Sequence, residues 1–294
     1  VVIGGVVAAL LGAVLLALGA QFQGRGVRSV DGGDDGGYGL RRVLRLFASG
    51  GWLLGSGFLT LAVLLQLVGL LLAPLPVVQP LGVLSLVITA LLERRLSHAR
   101  IQRRGMIGIA VCIVGTIAFV VTASVATRSE AASPAVVLPV LVLVGGVLLV
   151  LLVGYATLRD RLPSIAFTVS AGICFGFVVT LMKVVLDRSA VAVQHGGLID
   201  PTTPFTVLVL AGAAAAGLAG ISLVQRAYAA GSADLVVAAL TVVDPLVAVT
   251  LGIVLLGQAR GAPIWSFPAF AVAEAVAVAG VVLMARNPPV RTDG

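Results

Sequence analysis

The chain has 294 residues, 60% of them hydrophobic and 11% charged, with a mean hydropathy of +1.16 and a net charge of +7. No water-soluble domain carries that balance, so composition defines a polytopic helical membrane protein; long unbroken apolar runs exclude a barrel of alternating ten-residue segments. Eighteen of the 19 basic residues are arginine, a bias typical of a high-GC bacterial genome, and their sidedness accounts for the charge better than nucleic acid does.

In chain order the apolar runs are roughly 3–22, 47–72, 75–92, 105–125, 136–158, 164–186, 204–225, 235–256 and 264–285. Each is long enough to cross a bilayer as a helix, which gives nine spans. The first run reads as a span rather than a signal peptide. Segment 29–39, SVDGGDDGGYG, with Asp31, Asp34 and Asp35, lacks the ligand spacing and closing Glu of a calcium loop and reads as a solvated linker. His98 and His195 stand alone in connections, and Cys112 and Cys174 sit inside apolar runs without metal-ligand spacing. The tail from 287 to 294 reads as disordered. Fifteen arginines lie on one side of the membrane and three on the other. The positive-inside rule therefore predicts an outside N-terminus and a cytoplasmic C-terminus, in a bacterial plasma membrane.

The eighth run holds VVDPLVAVTLGIVLLG, in which Asp244 falls near the membrane midplane and Pro245 follows at once. A carboxylate there costs at least roughly 2.5–3.5 kcal/mol even on insertion scales, so it must face a partner or water. The stretch has a relative within the chain: 77–95 aligns with 242–260 without a gap, with eight identities in 19 positions at an offset of 165. The same offset lays span 4 on span 9, and spans 1 and 2 over spans 6 and 7. Spans five apart cross in opposite directions, so the expected architecture is an inverted repeat. Four-helix halves occupy 1–125 and 164–286, and 126–163 supplies an extra linking helix. Inverted repeats are the architecture of secondary transporters, with the site between the halves.

These residues carry a resemblance. Pro74–Arg95 ending in LLERRLS, GMIGIAVCIVGTIAFVV (105–121), AGICFGFVVTLMK (171–183) and QRAYAAGSADLVVAALTVVDPLVAVTLGIVLLGQ (225–258) resemble the drug/metabolite transporter superfamily (EamA-like). They come closest to its NIPA-like branch, which is associated with magnesium transport. The chain departs from the superfamily pattern at Gly257-Gln258-Ala259-Arg260, where the second "GERL" has lost its acidic residue, and in the sidedness of its first helix. The resemblance implies fold and transport; it does not identify a substrate.

Candidate substrate-binding residues are the polar groups inside spans. Asp244 leads, with Gln79 as its repeat partner; Ser85 and Thr250 align six positions beyond. Hydroxyls in such helices also bond back to the i−4 carbonyl. Glu274, deep in span 9 among small residues, is either a ligand or a polar contact between helices or subunits. Gln66 and Gln225 lie in spans 2 and 7. Asp244 and Glu274 are the candidate metal ligands. Lys183, near the outer end of span 6, reads as a snorkelling side chain; the alternative is a cation that neutralises Asp244 or an anionic substrate. No P-loop and no nucleophile–base set is present, so the chain reads as a non-enzyme without a resident cofactor.

Three function classes remain. One is a magnesium transporter, as the resemblance implies, since Mg²⁺ takes oxygen ligands and keeps several waters. Another is an exporter or flippase of an organic metabolite, drug or lipid-linked intermediate, which needs an apolar-walled cavity with a lateral opening. The third is a non-transporting membrane subunit with its halves packed shut. The partners expected are the lipid bilayer and a small-molecule or ion substrate; a homodimer or an envelope-enzyme partner is left open.

Overall fold

In a computed structural model of the chain, the described residues are 2–31, 49–96, 102–128, 134–158, 162–194, 203–231 and 233–287. His98, His195, residues 32–39 of the acidic loop and the tail from 288 lie outside them. The described residues form nine helices: α1 (Val2–Asp31), α2 (Gly50–Leu72), α3 (Leu75–Leu96), α4 (Arg103–Ala126), α5 (Pro134–Leu158), α6 (Ser164–Gln194), α7 (Thr203–Ala230), α8 (Ala233–Val254) and α9 (Ser266–Ala285). All nine are long and apolar enough to cross a membrane. Two run farthest beyond the apolar stretches that announce them: α1 continues to Asp31 and α6 to Gln194.

Helices that are apolar on every side have no hydrophobic drive toward one another in lipid, so close packing comes from small residues. Gly5, Gly12 and Gly19, one every seven residues, set α1 against Ala73, the Ala62 carbonyl and Gly55 of α2, antiparallel. Gly108 and Gly115 of α4 meet Gly280 and Ala277 of α9, and a Cβ on Gly280 would collide with the Cys112 backbone. Phe119 and Phe270 stack across that pair with ring centroids 5.0 Å apart.

α1 packs on α2 and α3, and α3 on α4 and α8; five helices on, α6 packs on α7 and α8, and α8 on α9. α3 and α8 run antiparallel through the centre. Leu75 adjoins Gly252, while Val83 and Val87 share a core cluster with Ala238 and Val242. α5, the least buried of the nine spans, sits at the edge against α7.

One end of the bundle is closed by polar groups turned inward. Lys183 is fully buried, its Nζ 2.6 Å from the Leu70 carbonyl at the end of α2 and 2.9 Å from Asp187 one turn along α6. The snorkelling expectation is therefore overturned: because α6 continues past residue 186, Lys183 has a protein partner above and below and never reaches a headgroup. Arg188, also buried, donates to Thr206 Oγ1 at 3.2 Å.

At the same end the chain leaves α8 through Gly257 and Gly261, whose φ of 65° and 76° lie in the left-handed region that glycine enters without strain. That turn folds Gln258 inward, where its Oε1 accepts the N–H of Leu75 at 3.0 Å. The first N–H groups of a helix have no helical partner, so Gln258 caps α3. The amide thus serves where a buried carboxylate would need neutralising. Gln258→Ala should strand that N–H and lower stability by about 1–3 kcal/mol, read as a drop in melting temperature in detergent.

Candidate functional site

Near the middle of the bundle α1, α2, α3, α6 and α8 enclose a cavity of about 360 Å³. Its polar lining is Gln66 from α2, Gln79 and Ser85 from α3, and Thr241 and Asp244 from α8. Four of the residues singled out in the sequence therefore share one space. Two of them have atoms that the protein leaves unsatisfied: Asp244 Oδ1 and Gln79 Nε2 are buried without a hydrogen-bond partner. Buried polar atoms are normally paired, so an orphaned acceptor and an orphaned donor on one cavity wall mark a place where a ligand or water supplies the missing bonds.

The prolines explain why the wall is polar at this depth. Pro245 has no N–H, so the carbonyl of Thr241 loses its helical donor and adds an oxygen next to Asp244. Pro80, one residue beyond Gln79, likewise frees the Pro76 carbonyl in α3, although Pro76 is not on the cavity wall. Thr241, a residue the sequence reading missed, was findable as the i−4 partner of Pro245. Phe175 and Val179 from α6 form the apolar wall opposite.

The glycines of AGICFG place α8 at this depth. Cβ atoms on Gly172 and Gly176 would each come within 2.7 Å of a valine Cβ, Val243 and Val247, and the second also within 3.1 Å of the Asp244 carbonyl. The two glycines let α8 lie against α6 with Asp244 between the contact points. Gly176→Leu should therefore push α8 away, cost about 1–3 kcal/mol of overpacking and lower transport, whereas Gly176→Ala should do less. Melting temperature and flux measured on the same preparation check this.

The other candidates lie elsewhere. Glu274 lines a separate space of about 10 Å³, room for one water at most, with Pro80, Thr116 and Pro245. It sits across the α3–α8 crossing from Asp244, and the two carboxylates do not converge. Thr250 is exposed and donates to its own i−4 carbonyl, Leu246, at 2.7 Å. Gln225 is exposed on α7 and does not line the cavity. Lys183 pairs with Asp187 and with the Leu70 carbonyl at the end of the bundle. Among the described residues no group of three or more His, Cys, Asp or Glu side chains could hold a metal ion.

The cavity opens sideways as well: Leu16 and Val63, both on its wall, are 40% and 58% exposed. Toward the end sealed by Lys183 and Gln258, the layer Ala73, Leu75, Val77 and Val78 is buried.

An all-helical bundle of membrane spans around a mid-depth polar cavity has the build of a membrane transporter. Residues 3–190 match the magnesium transporter NIPA family, well over half of the chain, and the chain belongs to that family. The match takes in Gln66, Gln79, Ser85 and Phe175 and ends before Asp244. The chain is also 26% identical over 243 residues, 80% of its own length and 79% of the relative's, to an uncharacterized protein of Corynebacterium glutamicum. No solved structure matches it.

Proposed function

We propose that this membrane transporter carries Mg²⁺ across a bacterial plasma membrane, largely hydrated, through the cavity beside Asp244. The observation that carries the reading is a carboxylate, Asp244, on the wall of that cavity, with its buried Oδ1 unpaired. Mg²⁺ gives up its waters reluctantly and is commonly held by one or two carboxylates with several waters retained. At roughly 30 Å³ per water, a 360 Å³ space takes about a dozen, enough for the ion with a hydration shell. Asp244 supplies the charge; Gln66, Gln79, Ser85 and the Thr241 carbonyl supply outer hydrogen bonds to coordinated water. Glu274, in its own small space, is outside that shell. The arginine-rich side is placed in the cytoplasm, so the end sealed by Lys183 faces outward.

A second reading rests on the lateral opening at Leu16 and Val63 and on the apolar wall of Phe175 and Val179. These suit an amphipathic organic substrate entering from the bilayer. An open cavity of this size gives no support to a non-transporting bundle packed shut. Proteoliposomes loaded with a magnesium-sensitive dye distinguish the two: saturable Mg²⁺ influx, unaffected by a panel of organic solutes and lipid-linked sugars, is expected. Absence of Mg²⁺ influx together with movement of a panel member would replace the first reading by the second.

A further inference from the structure

A second space, about 380 Å³, lies between α5 and α7, away from the transport cavity. Val140 and Val144 of α5 share a core cluster with Val209 and Ala213 of α7, and Leu141 lies against Gly212, so the first halves of these two helices touch. Beyond Leu148 and Ala215 they part, leaving a groove walled by Leu148, Leu151, Leu152, Ala219 and Leu223. At its far end stand Tyr155 and Arg226, the guanidinium carbon 4.9 Å above the centre of the tyrosine ring.

We propose that this groove is a binding site for an anionic membrane phospholipid, one acyl chain lying between α5 and α7 and the phosphate held by Arg226. The dimensions fit a single leaflet. Eleven residues separate Ala215 from Arg226, about 16 Å of helix rise, against about 15 Å for half of the hydrocarbon core. The groove therefore runs from mid-membrane to the headgroup level.

The charge fits as well. Among the described residues no carboxylate is paired with Arg226, and its place over the Tyr155 ring engages the guanidinium, whose N–H groups remain for a phosphate, through the cation–π contact. Tyr155 presents a hydroxyl at the same level. Arg226 also belongs to the side that holds most of the arginines, where a negative surface potential draws cations. The site is independent of what the transporter carries.

Native mass spectrometry of delipidated protein, titrated with phosphatidylglycerol or phosphatidylcholine, tests it. The wild type should bind the first lipid phosphatidylglycerol about fivefold more tightly, the worth of one cation at the surface. Arg226→Gln should erase that preference, and Arg226→Lys should retain most of it, which separates loss of charge from loss of fold. Ala215→Phe, at the mid-membrane end, should weaken both lipids alike. Equal binding of the two lipids by the wild type, or an unchanged preference in Arg226→Gln, overturns the proposal. A lipid-free dimer dominating the spectrum would assign the groove to a second copy of the chain and overturn it too.

Discussion

Replacing Asp244 with Asn should abolish Mg²⁺ flux while leaving the yield and melting temperature of purified protein close to wild type. The substitution keeps the volume and one oxygen but removes the charge, the only formal charge among the described residues of the cavity wall. A cation leaving water for this space loses its hydration beyond the first shell, and neutral amides and hydroxyls do not replace a carboxylate at that task. The fold should tolerate the change because the Oδ1 atom has no protein partner to lose, and removing a deep ionisable group lowers the cost of membrane insertion. If Asp244 served packing alone, flux would survive, since an amide and a protonated carboxyl bond alike. Gln79→Leu should have a milder effect, because its amide acts on the waters of the ion and not on its charge.

The second large effect is expected at Lys183, and it should be on stability. Lys183→Met retains most of the side chain's volume but leaves the Leu70 carbonyl without that donor and takes the cation away from Asp187, itself buried. Breaking a buried pair by removing one partner costs about 3–5 kcal/mol. The melting temperature in detergent should fall steeply, and Lys183→Met/Asp187→Asn should recover part of the loss because the Asp187 charge is then removed together with that of Lys183. A double variant no more stable than the single one would show that the Leu70 contact, rather than the ion pair, holds the end of the bundle. The two variants also separate roles: Asp244→Asn should alter flux at constant stability, Lys183→Met stability first.

The sequence carries the spans, their number and their crossing order, because unbroken apolar runs of this length have no other stable conformation. It also points to the cavity wall. The matched pairs Gln79-Pro80 and Asp244-Pro245 place a polar side chain beside a missing N–H in antiparallel helices, and Gln79 and Asp244 line one space. The inward turn of Lys183 was not legible, since the same residue near a helix end ordinarily snorkels. Its fate depends on α6 continuing through Asp187 and on α2 ending opposite it.

Nor does the sequence separate Asp244 from Glu274, two mid-span carboxylates of which one meets a cavity and the other a tight helix crossing. Spans that are apolar on all sides lack the amphipathic stripe that would tell which face is inside. Gln225 and Thr250, which the structure leaves exposed, were indistinguishable from Gln66 and Ser85 on that ground. Gln258 shows the reverse: a departure from the superfamily's acidic position becomes intelligible once its amide is seen capping α3.

The most direct test asks whether Mg²⁺ occupies this cavity. In a background with Cys112 and Cys174 replaced by Ala, a single thiol introduced as Ser85→Cys is timed for its reaction with a small hydrophilic thiol reagent. Mg²⁺ should slow that reaction in proportion to its occupancy, and adding Asp244→Asn should remove the protection. Labelling that proceeds at the same rate with and without Mg²⁺, in protein that still transports the ion, would place the path elsewhere and contradict the account.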